Sequence, residues 1–170
     1  YFDYFVLPGN ERWYSFDYGA VHFAILDMNG KFRRNEEQIA WLKQDLETNR
    51  APITFVMYHQ PALSASTNSE RLKEAAEIYE TWGPIFEKHK VTAVFQGHNH
   101  NYQRAEKNGV VYLTSGGGGA PLYPIGPLLP ETKGSKVAHH FVKISVEARQ
   151  VLFEVIDIDG VEVETFRLPR

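Results

Sequence analysis

The stretch VTAVFQGHNHNYQR, residues 91–104, decides how the chain folds and where its chemistry lies. The apolar run from Val91 to Phe95 reads as a buried strand that ends at Gln96 and Gly97 and delivers His98 and His100 at its exit. In an extended segment side chains alternate with a period of two, so residues 98 and 100 point to one side and Asn99 to the other. Neutral imidazole is a common ligand for zinc and iron, and a glycine just before the pair lets the backbone turn where other residues would be strained. Two solvated loop histidines would also produce an isolated H-x-H, so the neighbouring segments must separate the two readings.

A second apolar run, Ile53 to Tyr58, ends in the same way, at His59 followed by Gln60 and Pro61. Upstream, Trp13 to Tyr18 and Val21 to Leu26 read as a hairpin turned at Gly19. Asn35 is placed to cap a helix of about three turns, with Gln38 at the capping-box position and Ile39, Leu42 and Leu46 as its apolar stripe. After the polar stretch from Ser64 to Ser69, Leu72, Ala75, Ala76 and Tyr79 share a second helical face. Gly83 is expected to break that helix and Pro84 to start a short one carrying Ile85 and Phe86.

The order strand, helix, strand, helix, strand predicts βαβ units, with the runs at 53 and 91 parallel in one sheet. Their exits then share an edge. Ligands gather at such edges in open α/β sheets, and His59, His98 and His100 all fall there. This convergence favours a metal site over solvated histidines. Further on, Val110 to Leu113 reads as a strand, SGGGG from Ser115 as a close-approach loop, and residues 120–135 as an irregular connection. His140 to Val146, Val151 to Ile158 and Val161 to Leu168 form a closing β meander, with Asp159 and Gly160 as a tight turn.

Composition narrows the function further. The 170 residues suit a single domain, or part of one, with no repeat or linker, and a globule of that size buries roughly 70% of its unfolded surface. The 11 Phe, 9 Tyr and 3 Trp sit mostly in apolar runs. A formal charge of −3 with both signs scattered argues against a nucleic-acid partner. With no cysteine there are no disulfides, thiolate metal sites or cysteine nucleophiles. No apolar segment approaches the roughly 20 residues that cross a bilayer, so no membrane partner is expected.

At this point GHNHNYQR, residues 97–104, resembles the GHxHxYxR block of the calcineurin-like metallophosphoesterases, in the form typical of the purple acid phosphatase branch. YHQP at Tyr58 to Pro61 resembles the family's upstream histidine block. LPGNERWYSFDYGAVHFAILD, residues 7–27, and SGGGGAPLY, residues 115–123, extend the likeness over most of the chain. The resemblance implies an α/β fold of mixed β-sheet layers with flanking helices, the C-terminal half of a metallophosphoesterase-like sandwich. It also implies a metal-dependent phosphoric ester hydrolase, acid-phosphatase-like, in which a metal-activated hydroxide attacks a phosphate ester. His59 and His98 would ligate one metal ion and His100 the other. Two ions, of iron, zinc or manganese, could then stabilise both the attacking and the leaving oxygens. Histidine ligands alone also accept nickel.

The family's earlier blocks, which supply aspartates, an asparagine and a further histidine, would precede Tyr1. Without bridging carboxylates two cations cannot be held close against their repulsion. The isolated chain is therefore expected to bind at most one ion and to be inactive, and no catalytic residue is assigned within it. Its expected partners are a phosphate-ester substrate, the missing N-terminal half, and further copies of itself through the apolar surface that half would cover. The family favours a secreted or periplasmic location. A noncatalytic fragment, or an α/β scaffold or binding module without a working site, is the second reading.

Other residues read as structural. Asp27 suits a turn, and the neighbouring His139 and His140 point to opposite faces of a strand. His22 and His89 suit packed or solvated roles, and Arg104 an ion pair that anchors its loop. The glycine run lacks the Lys-Ser/Thr of a P-loop, and neither Ser64 nor Ser66 has a His/Asp pattern that would activate it.

Overall fold

The computed structural model describes residues 3–169. Strands β1 (Tyr14–Tyr18) and β2 (Val21–Ile25) form the expected antiparallel hairpin, with Gly19 at φ 59° in its turn. A short 3-10 turn, Gly30–Arg34, leads into α1 (Glu36–Thr48), β3 (Ile53–Met57), α2 (Ser69–Lys88) and β4 (Ala93–Gln96). Then come β5 (Tyr102–Lys107), β6 (Val110–Ser115) and β7 (Thr132–Lys136), followed by the meander β8 (His140–Val146), β9 (Gln150–Asp157) and β10 (Glu162–Pro169).

The fold is mixed α/β. A seven-stranded sheet has the order β1-β2-β3-β4-β6-β5-β7, and β10-β9-β8 form a second, antiparallel sheet. β2, β3, β4 and β6 run parallel, as the βαβ reading requires. Leu42 and Leu46 of α1 and Ile78, Trp82 and Phe86 of α2 pack on one face of the large sheet, against Ala24, Val56, Val94 and Tyr112. On the other face Val21, Ile53, Phe55 and Val111 meet Val151 and Phe153 of the small sheet.

Three local features depart from the expected pattern. Asn35 caps α1, its side chain accepting from the Gln38 N–H at 2.7 Å, but the Gln38 amide does not return the bond. It is buried instead, accepting from the Asp27 N–H and donating to the Asp27 and Phe32 carbonyls, which fastens α1 to the end of β2. Nor does α2 break at Gly83. A Cβ there would stand 2.7 Å from the Tyr79 ring, so the glycine makes room for that ring inside one continuous helix. Pro84 costs a helical bond, about 3 kcal/mol, and the burial of Trp82, Ile85 and Phe86 offsets it at roughly 1.5–3 kcal/mol per large side chain.

β5 and β7 lie where the sequence reading placed no strand. β5 pairs with β6 through Asn108 and Gly109, both left-handed at φ 49° and 84°. An Asn-Gly pair at that spacing is the sequence signal of a hairpin with a type I′ turn. β7, TKGSK, has no apolar alternation and is placed by its pairing to β5.

Candidate metal centre

The parallel pairing of β3 and β4 runs on past their ends. The Tyr58 N–H donates to the Phe95 carbonyl at 3.1 Å, and the Gly97 N–H to the His59 carbonyl at 2.8 Å. Both exits are thus held side by side, and His59 Nε2 lies 3.3 Å from His98 Nδ1 with the rings tilted 77° to each other. His59 is exposed and His98 half-buried. Burial, and then the positive charge of Arg71, holds the His98 imidazole below its usual pKa and so keeps it neutral.

The turn after β4 is made differently from the expected one. The left-handed residue is His98, at φ 60°, not Gly97. A non-glycine residue in that region costs on the order of 1–2 kcal/mol, so its surroundings must hold it there. The Asn99 N–H donates to the Gly97 carbonyl and the Asn101 N–H to the Asn99 carbonyl, each at 2.7 Å. Asn99 is buried and donates to Ser64 Oγ at 2.6 Å. Asn101 is buried as well, donating to the Tyr123 carbonyl and accepting from Gln103. The segment is a series of turns rather than an extended strand, yet the inside–outside alternation survives: the asparagines are in and the histidines face out.

His100 faces the loop after the glycine run. Its Nδ1 is 2.7 Å from the Pro121 carbonyl, and its ring stacks on Tyr123 with centroids 4.0 Å apart. A carbonyl can only accept, so Nδ1 carries the proton and Nε2 presents its lone pair, the usual state of a metal-ligating histidine. The glycine run allows this close approach. A Cβ at Gly116 would fall 2.0 Å from the Asn99 carbonyl oxygen, and one at Gly117 would fall 2.3 Å from His140 Nδ1.

The donor chemistry fits a metal in part. Two nitrogens bound to one tetrahedral ion at about 2.05 Å stand about 3.3 Å apart, which is the spacing of the His59–His98 pair. The three histidines do not close on a single point: the structure brings His59 and His98 together and leaves His100 against Pro121 and Tyr123. Among the described residues no group of three or more His, Cys, Asp or Glu side chains is placed to hold an ion.

Residues read as structural are engaged elsewhere. Asp27 accepts from the Asn29 N–H in a turn. Arg104 pairs with Glu164, which also accepts from the Tyr102 hydroxyl at 2.6 Å, so the block after the histidines is anchored to β10. His140 is buried between Ser115 Oγ and the Ala138 carbonyl, while His139 Nδ1 faces the Gly117 carbonyl. His22 lies between Asp17 and Asp45. His89 caps the end of α2.

Arg71 belongs to the same neighbourhood and was not singled out by sequence. Its Nη1 is 3.4 Å from Asn99 Oδ1, and its guanidinium lies 4.5 Å from the centre of the Tyr123 ring. An arginine in the first turn of a helix carries no special sequence mark.

No family model matches the chain. It is 30% identical over 132 residues to purple acid phosphatase 15 of Arabidopsis thaliana, an alignment that covers 68% of this chain and 24% of that protein. It is 33% identical over 98 residues to the probable inactive purple acid phosphatase 9 of the same plant, with 54% of this chain and 15% of that protein covered. The chain thus spans about a quarter or less of the length of these relatives. The fold matches a purple acid phosphatase from yellow lupin (Lupinus luteus) seeds with a TM-score of 0.84 at 24% identity, over 98% of this chain and 34% of that one. Sequence and fold point the same way, and the chain belongs to the calcineurin-like metallophosphoesterases, on their purple acid phosphatase branch, as a C-terminal portion of such a domain.

Proposed function

We propose that residues 1–170 are one domain, or part of one, of a metal-dependent phosphoric ester hydrolase, and that His59, His98 and His100 are its metal ligands within this chain. The 3.3 Å approach of His59 Nε2 to His98 Nδ1 carries the proposal, because two imidazole nitrogens facing each other at that spacing are what a shared cation requires once both are deprotonated. His59 and His98 would hold one ion. His100, with Nδ1 committed to Pro121, would offer Nε2 to a second. When bound, iron, zinc or manganese ions supply Lewis acidity and an activated water for in-line attack on phosphorus. The chain's own contribution is to orient the imidazoles, keep His98 neutral, and hold the loop through Asn99 and Asn101.

Carboxylates for a two-ion centre would come from outside the described residues, in the N-terminal half of the domain. Exposed Phe16, Met57 and Phe141 support docking of such a half, or self-association in its absence. A secreted or periplasmic location is proposed on family grounds.

Metal content and hydrolysis of p-nitrophenyl phosphate test the reading together. The isolated chain is expected to carry at most one ion, which His98→Ala removes. In the protein that carries this chain, His98→Ala is expected to lower hydrolysis by more than about 100-fold, since even partners outside the ligand shell cost 10–100-fold. The second reading is a noncatalytic scaffold, and the likeness to a protein described as probably inactive favours it. Wild-type protein with neither metal nor hydrolysis would select that reading.

A further inference from the structure

The end of β6 meets the start of β8 at a pair of residues that the metal centre does not use. His140 is 6% exposed, and its two ring nitrogens have different partners. Nδ1 lies 2.9 Å from the Ala138 carbonyl, which can only accept, so Nδ1 carries the proton. Nε2 is therefore the basic nitrogen, and the Ser115 hydroxyl donates to it at 3.0 Å. Burial holds the imidazole below its usual pKa, which keeps that lone pair free of a second proton.

The imidazole is fixed in place. The His140 backbone N–H donates to the Gly117 carbonyl at 3.1 Å, and the Tyr102 ring meets the imidazole at 71° with centroids 5.4 Å apart. A side chain at Gly117 would collide with Nδ1, so glycine there lets the loop close on the ring. Ser115, Gly118 and His140 also line a cavity of about 460 Å³ between the two sheets, a volume that takes a small ligand. Most of its other walls are apolar, among them Phe23, Phe55, Phe95, Val142 and Ile144. An apolar cavity into which a hydroxyl and a basic nitrogen converge is the form of a small-molecule site.

We infer that Ser115 and His140 form a nucleophile and general base at the mouth of this cavity, a second catalytic site that hydrolyses small carboxylic esters with apolar acyl groups and needs no metal. The nucleophile is hydrogen-bonded to the base, and the base to an acceptor that orients it, as acyl transfer requires. Ser115 Oγ attacks the ester carbonyl carbon while its proton passes to His140 Nε2. The bond to the alkoxide then breaks, and Nε2 gives the proton to the leaving alcohol. Water repeats the sequence on the acyl-serine, which releases the carboxylic acid and restores the hydroxyl. The Gly118 N–H has no acceptor among the described residues and is available to the oxyanion. A carbonyl orients the imidazole as a carboxylate would but offsets its positive charge less, so turnover is slower than in a Ser-His-Asp triad.

The test follows p-nitrophenyl butyrate hydrolysis by the protein that carries this chain, in excess chelator, as wild type, Ser115→Ala and His140→Gln. Each substitution is expected to lower kcat about 100-fold or more, and the double variant to be no slower than either single one, since the two residues act as a unit. Diisopropyl fluorophosphate, whose phosphorus takes the serine oxygen as fluoride leaves, should label Ser115 in the wild type, as located by peptide mass spectrometry. His140→Gln should slow that labelling at least tenfold. A folded wild type that neither turns over the ester nor takes the label would overturn the site, as would turnover that survives Ser115→Ala. Should His140→Gln fail to melt cooperatively, Ser115→Ala and the labelled position decide alone, because that change is small and lies at a half-buried strand end.

Discussion

The face of the large sheet under α1 and α2 is closed, while the face under β8, β9 and β10 stays partly open. On the helical side Leu42, Ile78, Trp82 and Phe86 are fully buried against Val56, Val94 and Tyr112. On the other side a chain of aromatic contacts runs from Phe23 through Phe55 to Phe153 and Phe166, yet a cavity of about 460 Å³ remains between the sheets. Phe23, Phe95, Phe141 and Ile144 are among its walls, and Phe141 is 55% exposed. A helix offers a broad apolar stripe, whereas a strand turns only every second residue inward. Three strands therefore cover less of seven than two long helices do.

Truncation should show that contrast most strongly at Trp82, which is fully buried and donates its indole N–H to the Arg33 carbonyl at 2.8 Å. Trp82→Ala is expected to cost about 3–5 kcal/mol in urea denaturation. A cost no greater than that of truncating Phe141 would break the comparison. Next is the clasp at the end of the open face. Glu164→Ala leaves the Arg104 guanidinium with only the more exposed Glu106 as its carboxylate partner and should cost about 2–3 kcal/mol, less than breaking a fully buried pair. If the change is neutral, the small sheet is held by its aromatic contacts alone.

A smaller effect is expected from pH at the edge of the closed face. Burial disfavours the charged form of His22, but its hydrogen bonds to Asp45 of α1 and Asp17 of β1 outweigh that and raise its pKa above 6.5. Because the folded value is raised, the stabilisation is fully present below about pH 6.5 and is lost as pH rises through the folded value. The stability difference between wild type and His22→Gln should thus be larger at pH 6 than at pH 9, as measured by denaturant titration. A difference that grows with pH would show that His22 is neutral in the fold. The smallest change is expected on the open side, where Phe141→Ala should shift stability by less than about 0.5 kcal/mol. A larger loss would mean that a partner or second copy covers that surface.

Much of the closed face was legible in sequence because its signals are local. Leu42 and Leu46 repeat at helical spacing, Asn35 marks the helix start, and the runs at 53 and 91 are continuous and apolar, as buried parallel strands are. β5 escaped because Tyr102 to Lys107 alternates poorly, its Arg104 being buried by a glutamate 60 residues away. β7 has no pattern of its own. The continuity of α2 across Gly83 and Pro84 was hidden because Tyr79 and the sheet beneath, not helix propensity, decide it. At the histidines the strand exits and the outward alternation could be read directly, but the left-handed His98 and the nearness of Arg71 could not.

The sequence by itself determined the parallel strand exits, the histidines placed at them, and the family to which those residues point, because periodicity and short blocks are properties of neighbouring residues. Only the tertiary structure decided that His59 and His98 meet while His100 turns to Pro121, and that Arg71, paired with no carboxylate among the described residues, rests on the Tyr123 ring that also stacks on His100. Those relations join the ends of β3 and β4, the start of α2 and the loop at 121–123. Side chains from such distant segments come together only when the sheet, its helices and the buried asparagines set their positions.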